Sequence, residues 1–438
     1  MHATSQTQTT NLGEFVREHR ERNNLSQGEL ARQAYCTRGT VSYVEKNRRR
    51  LSLKLATSMD EVLHTGGELV KRAHQSLTQA RPQRLHRPEQ LPADIAELYG
   101  RDESLARLSE SLSATRDTAP AITTVEGPAG VGKSALVVHW AHQHAQHYPD
   151  GVITAHLGGH TPGHTPADPG DVVADILGDL GITDLPESTP ARSRLLRTVL
   201  AERHLLLLLD DAVDSDQVQP LLPGTSSCHV LITSRRRLTR LSLRGSATRI
   251  PLAPLSAAEA GHMLSNLLTP HRSLDGADDQ HALARIVDGC DRLPLALCAA
   301  AEVITTHPGR ELSQLVEPLT GPRRLHVLTT AAAGDPQSAL RATLAASYQH
   351  LTPLAARLLQ HLGAADHTCI DAVTARNLLD VPLEQAETAL AELLAEHLLT
   401  PEACCPSLVR LFAAERAQDP PAEPHILPPR RAVLTDHS

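Results

Sequence analysis

Gly127-Pro128-Ala129-Gly130-Val131-Gly132-Lys133-Ser134 is the stretch on which the fold turns. It follows an apolar run (Ala121, Ile122, Val125) and leads into helix-forming Ala135, Leu136, Val137 and Val138. A strand that empties into a G-x-x-x-x-G-K-S loop and then a helix aims its backbone N–H groups at phosphate oxygens. Glycines permit the tight turn, Lys133 reaches the β and γ phosphates, and the Ser134 hydroxyl is placed to ligate Mg²⁺. The expected nucleotide contacts are Gly127, Gly130, Val131, Gly132, Lys133, Ser134 and Ala135, with ATP or ADP and Mg²⁺ as ligands.

Further along, Leu205 to Leu209 are wholly apolar and end in Asp210-Asp211, the pattern of a buried parallel strand that delivers two carboxylates at its C-terminal end. Asp210 is the expected Mg²⁺ partner beside Ser134, and Asp211 the group that orients or deprotonates an attacking water. A third strand, Val230-Leu231-Ile232, runs into Thr233-Ser234-Arg235, which sets a guanidinium where it can sense a γ phosphate. With Lys133, Asp211 and Arg235 form the catalytic set. The spacing also admits plainer roles, a helix N-cap for Asp211 and a solvated loop cation for Arg235.

At 438 residues the chain has room for about three domains. Aromatics are only 2% of the residues, so the cores must be built from Leu, Ala and Val, which favours helices. Met1 to Thr10 are polar, and no apolar run is long enough to span a bilayer; the expectation is a cytoplasmic protein without a membrane partner. The seven cysteines include no C-x-x-C pair and read as reduced, mostly buried thiols. Histidines at 139, 142, 144, 147, 156, 160 and 164 lack a defined ligand spacing and read as surface residues.

Charge is uneven. Residues 1–87 carry 15 Lys and Arg against 8 Asp and Glu, on a chain whose net charge is −8. A basic end on an acidic body points to nucleic acid there. Leu12 to Asn23 reads as a helix with Phe15 and Val16 inward and Arg17, Arg20 and Arg22 exposed. Ser26 and Glu29 form a capping box for the next helix. Tyr35 and Cys36 make a turn, and Thr37 caps a helix with Val41 and Val44 inward, followed by basic Lys46 to Arg50. Two short helices about a tight turn are a helix-turn-helix.

LSQGELARQAYCTRGTVSYVEKNRRR, residues 25–50, resembles the XRE (Cro/repressor-type) helix-turn-helix. The resemblance implies contacts to double-stranded DNA from Gln27, from Thr37, Arg38, Thr40 and Tyr43, and from the basic Arg48 and Arg49. Where that family usually has glycine at the turn, this chain has Tyr35, which must enter the left-handed region or reshape the turn.

From Gly100-Arg101 to about residue 415 the ordered motifs resemble the NB-ARC ATPases of the STAND class, as found in actinobacterial transcription regulators. They are the phosphate loop, Asp210-Asp211, Gln217 to Gly224, Thr233-Ser234-Arg235, Arg292-Leu293-Pro294-Leu295-Ala296 and Ser347-Tyr348. The implied fold class is multidomain: an all-α helix-turn-helix, an α/β P-loop NTPase with a parallel sheet, then an α-helical subdomain and a winged helix. The expected boundaries are 1–77 for the helix-turn-helix, 78–96 for a linker, 97–254 for the NTPase, 255–335 for the helical subdomain, 336–416 for the winged helix and 417–438 for a disordered tail.

The resemblance places Arg101 near the adenine, Pro294 on the base and Arg235 at the γ phosphate, and implies a slow ATPase that serves as a switch with nucleotide-dependent self-association. Such relatives usually carry a His-Asp pair before a Leu-Val-Arg helix, with the His on the ADP β phosphate. Here Pro406-Ser407 stand before Leu408-Val409-Arg410, and Glu402 to Cys405 is shortened. A Pro-rich tail follows with no repeat array, so a protein partner or DNA is expected to supply the signal. Three functions fit: an ATP/ADP-switched transcriptional regulator, a defence or signalling scaffold whose helix-turn-helix binds protein, and an ATPase that loads proteins on DNA.

Overall fold

The computed structural model describes residues 12–46, 51, 53–78, 87–113, 120–161, 163–225, 227–243, 247–274, 276–331, 340–364 and 369–418, which fall into two compact units divided at residue 86. The first is all helical: α1 (Leu12–Arg22), α2 (Gln27–Gln33), α3 (Arg38–Glu45), α4 (Leu53–Leu63) and α5 (Glu68–Thr78). Ser26 and Glu29 make the reciprocal capping box that starts α2, and Thr37 caps α3 through the Thr40 N–H at 3.2 Å. Phe15, Val16, Leu30, Val41, Val44 and Met59 fill the core.

In the second unit α6 (Asp102–Ser113) precedes a five-stranded parallel sheet ordered β2-β3-β4-β1-β5. The strands are β1 (Ala121–Glu126), β2 (Val152–His156), β3 (Leu206–Ala212), β4 (His229–Ser234) and β5 (Ala247–Pro251). They are linked through α7 (Lys133–His144), α8 (Pro169–Asp179), α9 (Thr189–Leu200), α10 (Ser215–Val218) and α11 (Thr239–Leu243). Both faces of a parallel sheet must be covered, which is why β3 is apolar from Leu206 to Leu209, before its two carboxylates. Leu206 and Leu208 pack with Leu136 and Trp140 on one face, and Leu207 and Leu209 pack with Ile153 and Val230 on the other.

The first of these cores continues into a helical region of α12 (Ala257–Leu268), α13 (Ala277–Gly289), α14 (Pro294–Thr305), α15 (Leu312–Thr320), α16 (Arg324–Ala331), α17 (Leu340–Tyr348), α18 (Pro353–Ala364), α19 (Ala372–Leu379), α20 (Leu383–Ala395) and α21 (Ser407–Gln418). It is built largely from Leu and Ala, as the scarcity of aromatics requires. Among the described residues no helix is long and apolar enough to cross a membrane.

Four sequence expectations need correction. The stretch read as a linker is, from residue 87 on, part of the second unit: Val152 donates to the Pro88 carbonyl at 2.8 Å, and Gln90 donates to Val152 at 3.2 Å, alongside the outer strand β2. Cys369 and Cys404 are disulfide-bonded, and Cys298 is exposed, so only Cys228, Cys290 and Cys405 are the buried thiols expected. The pairing brings together residues 35 apart in sequence, which spacing alone does not reveal. His160 is 1% exposed, enclosed between two carboxylates. Arg20 is not a solvent cation: its guanidinium pairs with Glu45 at 2.5 Å and donates to the Leu25 carbonyl.

Candidate functional site

Strand alternation alone would send neighbouring carboxylates to opposite faces. A register shift between Leu209 and Ala212 prevents this: Asp211 takes φ +57°, and Asp210 and Asp211 both line one cavity at the end of the sheet. Such a bulge re-aims side chains at the cost of ladder pairing. The cavity measures about 850 Å³ and is bordered by the phosphate loop, β3, β4 and helices of the C-terminal region.

Gly130 and Gly132 hold φ values of +74° and +95°, and α7 begins at Lys133 with the N–H ends of its first turn directed at the loop. Lys133 is buried and donates from Nζ to the carbonyls of Gly127 and Pro128, each at 2.9 Å. Burial, aided by the Arg235 charge, pushes its ammonium down to about 7 against the pull of Asp211 and Asp210. Ser134 donates to Asp210 Oδ1 at 2.7 Å, and Thr233 donates to the same oxygen at 2.6 Å. Burial raises the Asp210 carboxyl, yet hydrogen bonds from His156, Thr233 and Ser134 outweigh it and hold the group below the usual carboxylate range.

Asp211 accepts from the His160 backbone N–H at 2.8 Å and lies 3.9 Å from Arg235 Nε. Burial is its largest influence and opposes ionisation, but His160 and Arg235 hold the carboxyl well below its ordinary value. It is not a helix N-cap; Asp214 fills that role for α10. Arg235 is not solvated either, since Nη1 donates to the Thr343 carbonyl on α17 at 2.7 Å. Arg101 is buried and clamps the loop, donating to Val131 O at 3.0 Å and to Ala253 O at 2.9 Å. Pro294 opens α14, and the following Leu295 donates its N–H to Gly130 O at 3.2 Å and covers that glycine. Arg101, Pro294, Val131 and Ala135 all line the cavity, and Leu255, Met263 and Cys298 are among its less polar lining.

Sequence reading missed a second set of polar residues that joins the sheet to the C-terminal helices. Glu396 is 1% exposed and pairs with Arg236 at 2.9 Å and with His160 Nε2 at 3.6 Å. His397, at φ +53°, has Nδ1 2.8 Å from the Arg235 carbonyl, and Arg237 donates its N–H to Ala395 O at 3.2 Å. His350 Nε2 lies 2.8 Å from Gly159 O. Local signals could not reveal contacts between residues so far apart. Pro406 lines a smaller cavity of about 200 Å³ with Pro128, Ala129 and His397, and the start of α21 is capped from Asp291, which accepts from the Leu408 N–H at 2.7 Å.

In the helical unit, Arg38 and Tyr43 are exposed on α3, and Thr37 sits at its cap. Thr40 corrects the expected contact set: it is 8% exposed, with its hydroxyl 3.0 Å from that of Thr37, so it is turned inward. Gln27 donates its amide to Glu45 at 2.8 Å. Arg48 and Arg49 lie outside the described residues.

A P-loop nucleotide-binding fold joined to a helix-turn-helix is the class these features define. The helix-turn-helix domain family matches residues 11–73 and the NB-ARC domain family residues 101–272. The chain is a helix-turn-helix domain fused to an NB-ARC domain, homologous to regulators of the AfsR type. It is 35% identical over 346 residues to the regulatory protein AfsR of Streptomyces griseus and 34% identical over 348 residues to that of Streptomyces coelicolor. Each match covers 76% of this chain and 34% of the relative, so the chain spans about a third of the length of the curated relatives. A signal transduction ATPase with numerous domains that has a tetratricopeptide repeat sensor, from Pyrococcus horikoshii, aligns at 15% identity over 75% of this chain and 44% of that one, with a TM-score of 0.36.

Proposed function

We propose that the chain is an ATP/ADP-switched, DNA-binding transcriptional regulator of the cytoplasm with slow nucleotide turnover. The observation that carries this reading is the convergence of Lys133, Ser134, Asp210, Asp211 and Arg235 on one cavity, in a chain that also holds a helix-turn-helix. The name of the relatives, regulatory protein, supports it.

The residues fit a nucleoside di- or triphosphate. Lys133 rests its ammonium on carbonyls of its own loop, neutral acceptors that a phosphate would displace, and the space where Gly132 would carry a Cβ is open. A hydroxyl and a carboxylate, Ser134 and Asp210, make the hard-oxygen pair that would hold Mg²⁺, whose charge would offset that of the phosphates. Leu255, Met263 and Pro294 offer an apolar seat for a base. Asp211, held ionised, suits orienting a water better than accepting its proton.

Arg235 is the switching group in this reading. Drawn toward a terminal phosphate it would release the Thr343 carbonyl, and with it one tie between the sheet and the C-terminal helices. We assign residues 87–254 to the nucleotide subdomain, 255–335 to a helical subdomain and 336–416 to a winged helix, with self-association as the output. In place of a His-Asp pair before α21, the Glu396-His397 corner would hold the closed form. Calorimetric titration tests the site: Lys133→Ala should lose tight ATP binding, whereas Asp211→Asn should bind and turn over poorly. Unchanged ATP affinity in the Lys133 variant overturns the assignment.

A further inference from the structure

We infer that Tyr35 is a DNA-backbone contact of the helix-turn-helix, with its hydroxyl donating to a phosphate oxygen beside the start of α3; this rests on the DNA-binding reading above. The chain has eight aromatic residues. Phe15, Trp140, Tyr148 and Phe412 are buried, Tyr99 is half-buried and bonds Glu97 and Asn266, and Tyr348 is half-buried against Phe412. Only Tyr35 and Tyr43 are exposed, at 94% and 53%, and both belong to the α2–α3 hairpin of the basic end of the chain.

The backbone at Tyr35 sharpens the point. Cys36 donates to Ala31 O at 2.8 Å and Tyr35 to Arg32 O at 3.4 Å, the two bonds of a Schellman cap, whose left-handed position is normally glycine. Tyr35 holds it with φ +54°. A bulky side chain there disfavours the turn, and at this exposure its ring has almost no packing in the free domain to offset that. Glycine would make the better domain.

The compensating contact lies outside the free domain, and the neighbouring charges say with what. Thr37, Arg38 and Gly39 follow at once and are exposed, and residues 1–87 carry seven more basic than acidic residues. A polyanion is the complementary partner, and a phenol one turn before the reading helix can reach sugar and phosphate without reading a base. Tyrosine is neutral, so its contact adds affinity on every sequence and leaves the salt slope of binding intact, unlike an arginine on phosphate.

The test uses the full chain and the duplex it selects from a pool of random-sequence double-stranded DNA. Tyr35→Gly is expected to raise the melting temperature of the helix-turn-helix while weakening the selected duplex and a scrambled duplex alike by about tenfold. Tyr35→Phe should lose most of that affinity at unchanged stability, and both variants should keep the wild-type slope of affinity against salt. Equal affinity of wild type and Tyr35→Gly overturns the inference while leaving the DNA-binding reading standing. Failure of the wild-type chain to recover any duplex overturns the reading itself. A sedimentation shift between wild type and Tyr35→Gly in the absence of DNA would assign the ring to a second copy of the chain and also refute the phosphate contact.

Discussion

Removing the Glu396 carboxylate should loosen the C-terminal helices from the Arg235–Arg237 segment. Its side chain is fully enclosed, while that of Arg236, 2.9 Å away, is 36% exposed. Breaking a buried pair costs about 3–5 kcal/mol when the remaining charge stays buried. Arg236 can turn toward water, which brings the expected cost of Glu396→Ala to about 2 kcal/mol. If that cost falls on the docked form, local opening becomes about 30 times more frequent. The Arg237 amide is the reporter, because its hydrogen bond to Ala395 O at 3.2 Å exists only while the helices are docked. Hydrogen exchange should therefore speed about 30-fold at Arg237 and stay unchanged at sheet amides such as Ile232, with a melting temperature lower by about 4 °C. A fall in melting temperature without faster exchange at Arg237 would refute the coupling and reduce Glu396 to a packing residue.

The depressed Lys133 ammonium has a stability consequence of definite sign. With a folded value of about 7 against an ordinary 10.5, the unfolded chain binds more protons in that window, so stability should rise with pH from about 7 to 10 by up to about 1.4 kcal/mol per unit. Urea denaturation of wild type and Lys133→Met measures it: the variant's advantage at pH 7 should shrink by pH 9, and a constant gap contradicts the burial argument. Gly130→Ala would force a Cβ to 2.9 Å from that of Leu295 at φ +74°; a loss of about 2 kcal/mol is expected, and a double-mutant cycle with Leu295→Gly, which removes the facing Cβ, should show a coupling that recovers part of it. Thr40→Val should cost about 1 kcal/mol of stability in thermal melts and leave duplex affinity unchanged, whereas Arg38→Ala should do the reverse, weakening its specific site by about 1–3 kcal/mol.

The sheet and its loops were legible because their signals are local. The apolar Leu205–Leu209 run announced β3, and the G-x-x-x-x-G-K-S spacing announced the turn into α7. Capping chemistry marked α2 and α3 for the same reason. What the sequence concealed depends on tertiary return. Nothing beside Thr40 says that it faces inward, and nothing beside His160 says that Asp211 and Glu396 will enclose it. The bulge at Asp210-Asp211 was hidden because two adjacent aspartates read alike whether the strand continues or bends.

The short segment Pro88–Gln90 governs how this protein can be cut. It caps the outer strand β2, pairing with Val152 and, through the Gln90 side chain, with the Thr154 N–H at 3.1 Å. A fragment begun at residue 97, where the sequence first suggested a boundary, would leave those strand groups bare beside Val152 and Ile153. Bare strand edges recruit other chains, so such a fragment should precipitate or form strand-linked dimers. Begun at Arg87, the same unit carries its own edge guard.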